Sequence, residues 1–299
     1  MLTIFTAPKP FSSHVATIQT NAIRSWLELR PPCEIILFGS EDGTAEVAKK
    51  LNCRHISEVK RNEYGTPLIN DLYKTAQDLA DFPLMCYINA DIILMNDFIK
   101  AVERVARSKS SFLGVGQRWD LDVEEYLEFG PGWQERLRAR VIKSGQLHPP
   151  SGSDFFFFPR GMWKEIPPFA VGRPGWDNWL IYRARALGIP VVDITRVVSV
   201  IHQNHDYLHV VEGRTDYCSE GPEGDHNRKL GGGWDYIFTL LDATHMLTGR
   251  TLLPAIAYKY LRRRCRTLPV LNAKIRQLVQ FAARVRSGLH SDRVGKFPG

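Results

Sequence analysis

The chain has 299 residues, 44% hydrophobic and 24% charged, the composition of an ordinary globular protein with length for a sizeable core. No apolar run reaches the roughly 18 residues of a spanning helix, and the start, MLTIFTAPKPF, lacks the basic region and apolar length of a secretion signal. The net charge of +7 is lopsided: residues 254–299 hold eleven Lys/Arg and one acid, a net +10, so the first 253 residues carry −3 and the basicity belongs to a tail.

The predicted elements begin with strands at LTIFTAP and EIILFGS, separated by a helical pattern over 15–29. A helix follows at 44–52, and another at 68–81, where apolar residues recur at spacings of three and four. LMCYINAD reads as a strand, 97–108 as a helix and 111–118 as a strand. Strands alternating with helices predict an α/β fold, a mostly parallel sheet with helices on both faces. Beyond Trp119 the chain turns polar, with a short helix at 133–143. DFFFFPRGMW is an aromatic strand whose four phenylalanines fill both faces of a sheet. DNWLIYRARALG reads as a helix, PVVDIT and VVSVIHQ as strands, 212–234 as a mobile loop and 235–249 as a helix. The expected organisation is a catalytic domain over 1–250, with halves 1–118 and 119–250, and a basic helical extension over 251–299. Five cysteines (Cys33, Cys53, Cys86, Cys218, Cys265) form no CxxC pair and read as reduced thiols of a cytoplasmic protein.

YINADIIL, residues 87–94, carries Asn89 and Asp91 inside an apolar run. A continuous buried strand would strand the Asp91 charge without solvent. A strand ending near Asn89 would instead present both side chains at the carboxyl edge of the sheet, where open α/β sheets hold ligands. Such an oxygen pair suits a hard divalent cation; the alternative is a capped turn. Glu41 and Asp42 follow the second strand, and Gly65-Thr66 precede a helix whose N-terminus faces either an anion or only a plain turn. No GxxxxGK[ST] or GxGxxG is present, which argues against a P-loop NTPase and a dinucleotide dehydrogenase.

The order LTIFTAP, EIILFGSED, EYGTPLIN, YINADIIL, GRPGWDNWL, IHQNHDY resembles nucleotide-sugar glycosyltransferases of the GT-A (Rossmann-like) fold, similar to family 2-type enzymes, over about residues 1–210. In that family an Asp-x-Asp-type motif holds Mn²⁺ or Mg²⁺ against the donor diphosphate. Here Asn89 replaces the first acid, which leaves Asp91 as the stronger ligand. The resemblance implies a donor site formed by Thr6, Ala7, Pro8, Glu41, Asp42, Tyr64, Gly65, Thr66, Asn89 and Ala90. It implies for Asp177 the role of base in an inverting transfer to an acceptor hydroxyl; read from its own position, Asp177 is either that base or a helix cap. Trp176 and Trp179 flank it as a sugar platform or as packing. Asp154 contacts a sugar or caps a loop, and Arg118, Trp119 and Asp120 shape the same cleft. His202, at a strand end, assists the metal or neutralises a diphosphate; His205 is its alternative, and Asp206 orients a histidine. Arg173 either offsets phosphate charge or is a surface residue.

The expected acceptor is a saccharide or glycolipid, bound through Trp119, Asp154 and Trp176, and the expected setting is cell-surface polysaccharide or lipopolysaccharide synthesis. Residues 257–290 combine an apolar stripe (Ile275, Leu278, Val279, Ala282, Val285) with flanking Lys274, Arg276, Arg284 and Arg286. That pattern fits an anionic membrane surface at the inner face, ahead of a solvated packed helix and of nucleic acid, for which no reading motif accompanies the charge. Two other classes stay open: a metal-dependent nucleotidyltransferase or phosphohydrolase, and a non-catalytic membrane-attached module.

Overall fold

The computed structural model describes residues 1–205 and 221–282. It forms two units, Met1–Ala255 and Ile256–Gly299. The first runs, in chain order, β1 (Leu2–Thr6), α1 (Ser13–Leu27), β2 (Glu34–Phe38), α2 (Thr44–Leu51), β3 (Arg54–Ile56), α3 (Ile69–Leu79), β4 (Leu84–Ile88), β5 (Ile92–Ile93), α4 (Asn96–Ser108), β6 (Leu113–Val115) and β7 (Trp119–Leu121). It continues with α5 (Trp133–Ser144), β8 (Gln146–Leu147), β9 (Phe155–Pro159), α6 (Trp176–Ala186), β10 (Val191–Asp193), β11 (Ile201–Gln203), α7 (Gly221–Leu230), β12 (His245–Leu247) and β13 (Leu252–Pro254). The second contains α8 (Tyr258–Leu271) and a helical segment at 273–282.

The main sheet has nine strands in the order β13-β12-β10-β6-β9-β4-β1-β2-β3. Five of its eight pairings are parallel, as the alternation of strands and helices predicts. β9 runs antiparallel to both neighbours, and β13 to β12. Successive residues point to opposite faces, so the FFFF run serves two cores. Phe155 and Phe157 meet Phe98 of α4, while Phe156 meets Trp176 of α6 and Phe158 stacks on Tyr73 of α3. All four rings are fully buried, each contributing about 2–3 kcal/mol of burial. The packing also fixes Gly114: it sits opposite Phe157 in the register, and a Cβ there would lie 2.0 Å from the Phe157 ring.

A second, four-stranded sheet, β5-β11-β7-β8, has no counterpart in the sequence-based expectation. Two segments depart from that expectation outright. Residues 235–249 are not a helix but short 3₁₀ turns followed by β12, which pairs in parallel with β10. The Thr239–Asp242 capping box closes the second turn, and the Thr244 N–H then donates to Val191, drawing the chain onto the sheet edge. Within the expected mobile loop at 212–234, Gly221–Leu230 is α7; residues 212–220 lie outside the described ones. The sheet also takes in β13, inside the stretch expected to begin the extension.

Candidate active site

YINADIIL resolves into a strand, a turn and a second strand. β4 stops at Ile88, and Asn89-Ala90-Asp91 form the turn before β5. Asn89 and Asp91 therefore emerge at the carboxyl edge of the sheet, yet they do different work. Because β9 is antiparallel to β4, with Phe155 opposite Ile88, it delivers Asp154 to the same edge. There Asn89 Nδ2 donates to Asp154 Oδ1 at 2.9 Å, and the Asn89 N–H donates to the Asp154 carbonyl. Asn89 thus braces another acid, and the set gathered around Asp91 that could hold a metal is the expected His202 together with its alternative, His205.

That set is built by the small sheet. β11 pairs antiparallel with β5 and parallel with β7, which places His202 between Ile92 and Asp120. His202 Nε2 lies 3.7 Å, and His205 Nε2 3.1 Å, from Asp91 Oδ2. Ligand atoms of Asp91, His202 and His205 all fall within 4.8 Å of one another. Gln203 Nε2 donates to the Asp91 carbonyl at 3.0 Å and pins the turn. Burial pushes the Asp91 carboxyl up, but the His205 hydrogen bond and the nearby His202 outweigh it and hold the group well below the carboxylate range. Asp91 Oδ1 is buried and makes no hydrogen bond among the described residues. An orphaned carboxylate oxygen beside two imidazoles is a donor set that could hold a divalent cation.

These residues open onto a cleft of about 570 Å³. Asp177 faces the same cleft from the first turn of α6, whose N-cap Gly175 has φ +103°. Its Oδ1 accepts a long 3.3 Å bond from the Gly175 N–H. Burial pushes the Asp177 carboxyl up to about 6; the Asp154 charge adds to this, and backbone N–H groups oppose it. Tyr87 records the convergence: its hydroxyl is pushed up by burial first, then by Asp91, Asp154 and Asp177 together. Asp154 is ion-paired to Arg118 Nη1.

Of the other expected residues, Ala7, Pro8, Glu41, Tyr64, Gly65, Thr66 and Ala90 line the cleft, as do Arg118 and Arg173. The Tyr64 ring is 56% exposed, on a turn held by Asn62 Oδ1, which accepts from the Tyr64 and Thr66 N–H groups. Thr6, Asp42 and Trp119 do not line it. Thr6 is fully buried in β1, Asp42 is exposed beyond the rim, and Trp119 packs beside the core of the small sheet. Trp176 lines the cleft but is only 5% exposed, packed against Tyr87 and Phe156, and Trp179 packs on Phe169. Neither offers the open ring face of a sugar platform. Asp206 lies outside the described residues.

Several site residues carry no signal in the sequence. Lys9 lines the cleft; burial lowers its pKa, Asp91 partly offsets this and Arg173 adds to it, so both cations share the space around Asp91. Its place directly after the first strand was the only available hint. Glu223 of α7 accepts from Arg173 and from Asn62, tying α7 to both walls. His148 reaches Asp120 from just after the two-residue strand β8, which no periodicity marks.

No protein-family model matches the chain, and no curated protein matches it. The similar solved structures are nucleotide-sugar glycosyltransferases. Glucosyl-3-phosphoglycerate synthase from Mycobacterium tuberculosis, in complex with Mn²⁺, UDP-glucose and phosphoglyceric acid, is 16% identical over 78% of this chain and 80% of that one, with a TM-score of 0.46. The mannosyltransferase PcManGT from Pyrobaculum calidifontis, with GDP-Man and Mn²⁺, is 12% identical over 69% and 57%, with a TM-score of 0.45. Residues 1–349 of S. aureus TarS, with UDP-GlcNAc, are 13% identical over 40% of this chain and 35% of that one, with a TM-score of 0.32. The chain thus spans about a third of the TarS fragment and just over half of the mannosyltransferase.

Proposed function

We propose that the chain is a nucleotide-sugar glycosyltransferase that moves a sugar to an acceptor hydroxyl with inversion. The observation that carries this reading is the shared cleft. Its lining holds both a carboxylate with two imidazoles and an acid raised to about 6. Asp91, His202 and His205 would hold Mn²⁺ in preference to Mg²⁺, since imidazole is a poor ligand for the harder ion. When bound, such an ion supplies positive charge against the leaving diphosphate. Lys9 and Arg173 add charge from the chain itself, and the exposed Tyr64 ring offers a stacking face for the base. Asp177 takes the acceptor proton: with its pKa near 6 it is ionised at neutral pH yet more basic than an ordinary carboxylate. Attack from the face opposite the leaving group inverts the anomeric centre. Asp154, held by Arg118 and Asn89, faces the sugar between them.

The acceptor we propose is a saccharide or glycolipid of cell-surface synthesis, met at an anionic membrane surface. Support comes from α8, where Tyr258, Leu261 and Leu268 are exposed at helical spacing and Lys259, Arg262 and Arg266 are exposed beside them. Leu278, Val279 and Phe281 are exposed in the 273–282 segment. Among the described residues no helix is long and apolar enough to cross a membrane. The deciding experiment incubates the chain with UDP-, GDP- and CMP-sugars, with Mn²⁺, Mg²⁺ or EDTA. Cation-dependent release of free nucleoside diphosphate from one donor is expected. Pyrophosphate or inorganic phosphate as product would assign a nucleotidyltransferase or phosphohydrolase instead. Cation-independent binding without turnover would assign a binding module.

A further inference from the structure

We infer that Asp120 is a positioning residue, one that fixes the His202 ring so that Nε2 faces Asp91 as a cation ligand. This rests on the reading of Asp91, His202 and His205 as metal ligands. His202 is 4% exposed at the centre of the small sheet. Its register partner on β7 is Asp120, so the two side chains leave the same face of the sheet. Nδ1 lies 3.2 Å from Asp120 Oδ1, within hydrogen-bond distance though not aligned as a formed bond, while Nε2 lies 3.7 Å from Asp91 Oδ2. A carboxylate that accepts a hydrogen bond from Nδ1–H keeps the proton on Nδ1, leaves the Nε2 lone pair free and strengthens it as a metal ligand. The other tautomer would aim a proton at Asp91 and block ligation.

Asp120 is itself anchored. Arg118 Nε donates to its Oδ1 at 2.9 Å, and His148 Nδ1 lies 2.8 Å from its Oδ2. Arg118 reaches on to Asp154. One guanidinium therefore spans the acid behind the metal ligand and the acid facing the sugar. Held at both oxygens, Asp120 supports His202 from behind and does not join the ligand cluster.

The test uses the full chain without nucleotide. Mn²⁺ is titrated calorimetrically into the parent, Asp91→Ala and Asp120→Asn. The tautomer of His202 is read by ¹⁵N NMR of the metal-free chain at a pH where the ring is neutral. Asp120→Asn should weaken Mn²⁺ binding about 10- to 100-fold and turn a dominant Nδ1–H tautomer into a mixture, a change that general loosening of the cleft would not produce. Unchanged affinity with an unchanged tautomer would overturn the inference. Should the variant not fold, a dominant Nε2–H tautomer in the parent would overturn it equally. No Mn²⁺ binding by the parent, or parent-like binding by Asp91→Ala, would instead remove the metal site on which the inference stands.

Discussion

Asp177→Asn separates a catalytic base from a helix cap, because the two roles predict opposite effects on stability. Burial lifts the Asp177 carboxyl from 3.8 to about 6. A carboxyl with a raised folded-state pKa binds its proton more tightly in the native chain, so folding is penalised once the group must ionise. That penalty is absent below about pH 4, grows through the window from 3.8 to 6, and is complete above it. At about 1.4 kcal/mol per pKa unit it reaches roughly 2–3 kcal/mol at pH 8. Asn keeps the shape and an acceptor for the Gly175 N–H, and removes the charge. The variant should thus be more stable than the parent by roughly 2–3 kcal/mol at pH 8 and equal to it at pH 3.5. Transfer should fall about 10²- to 10⁴-fold, the ordinary worth of a general base, with donor binding retained. In the parent, kcat/KM should rise with pH through a limb near 6, and the variant should lose that limb. Urea denaturation at the two pH values, alongside donor turnover, measures both. A variant less stable than the parent at pH 8, with transfer intact, would show that Asp177 only caps α6.

Asp91→Ala should abolish Mn²⁺ binding and weaken donor affinity only when the cation is present; calorimetry with and without EDTA checks this, and an equal loss under EDTA would count against a metal role. Gly114→Ala should destabilise the chain by about 1–3 kcal/mol or more, since its Cβ would meet the Phe157 ring at 2.0 Å inside a filled core; a denaturation midpoint unchanged from the parent would mean that β6 and β9 separate freely. Leu261→Glu with Leu268→Glu should abolish co-sedimentation with anionic vesicles while leaving solution turnover unchanged. Neutral vesicles should bind the parent more weakly, because each basic residue near an anionic surface contributes about 1 kcal/mol; equal binding to both would remove the electrostatic part of the reading.

Most of the alternation of strands and helices through Val115 was legible because it rests on local periodicity, and so was the strand end at Ile88, where an apolar run meets Asn89 and Asp91; the three-residue edge strand β3 was missed, being too short and half-exposed to show a pattern. The small sheet was not. β5 and β8 are two residues long, and His202 finds Ile92 and Asp120 across long stretches of chain. No local pattern records such a pairing, so the sequence placed two candidate histidines near Asp91 without deciding between them. The geometry brings both to Asp91. Trp176 failed as a platform for the opposite reason: its sequence setting beside Asp177 is correct, but tertiary packing against Tyr87 and Phe156 consumes the ring.

The same long-range pairings divide the acids by role. Asp91, Asp154 and Asp177 all act on the Tyr87 hydroxyl, so they share one low-dielectric space. Three carboxylates so placed cannot all stay charged without counter-ions. Asp91 draws on two imidazoles, and Asp154 on the Arg118 guanidinium and the Asn89 amide. For Asp177 only backbone N–H groups remain among its described partners, and its pKa rises. Environments that push neighbouring carboxyls apart are what separate an electrostatic anchor from a proton acceptor. Replacing Arg118 with Met would therefore act on Asp177 without touching it. The Asp154 charge, deprived of its cation, would press harder on Asp177, and the pH limb assigned to Asp177 should move upward. A limb that stayed at its parent position would mean that the Asp154 charge does not reach Asp177, and that burial sets the base.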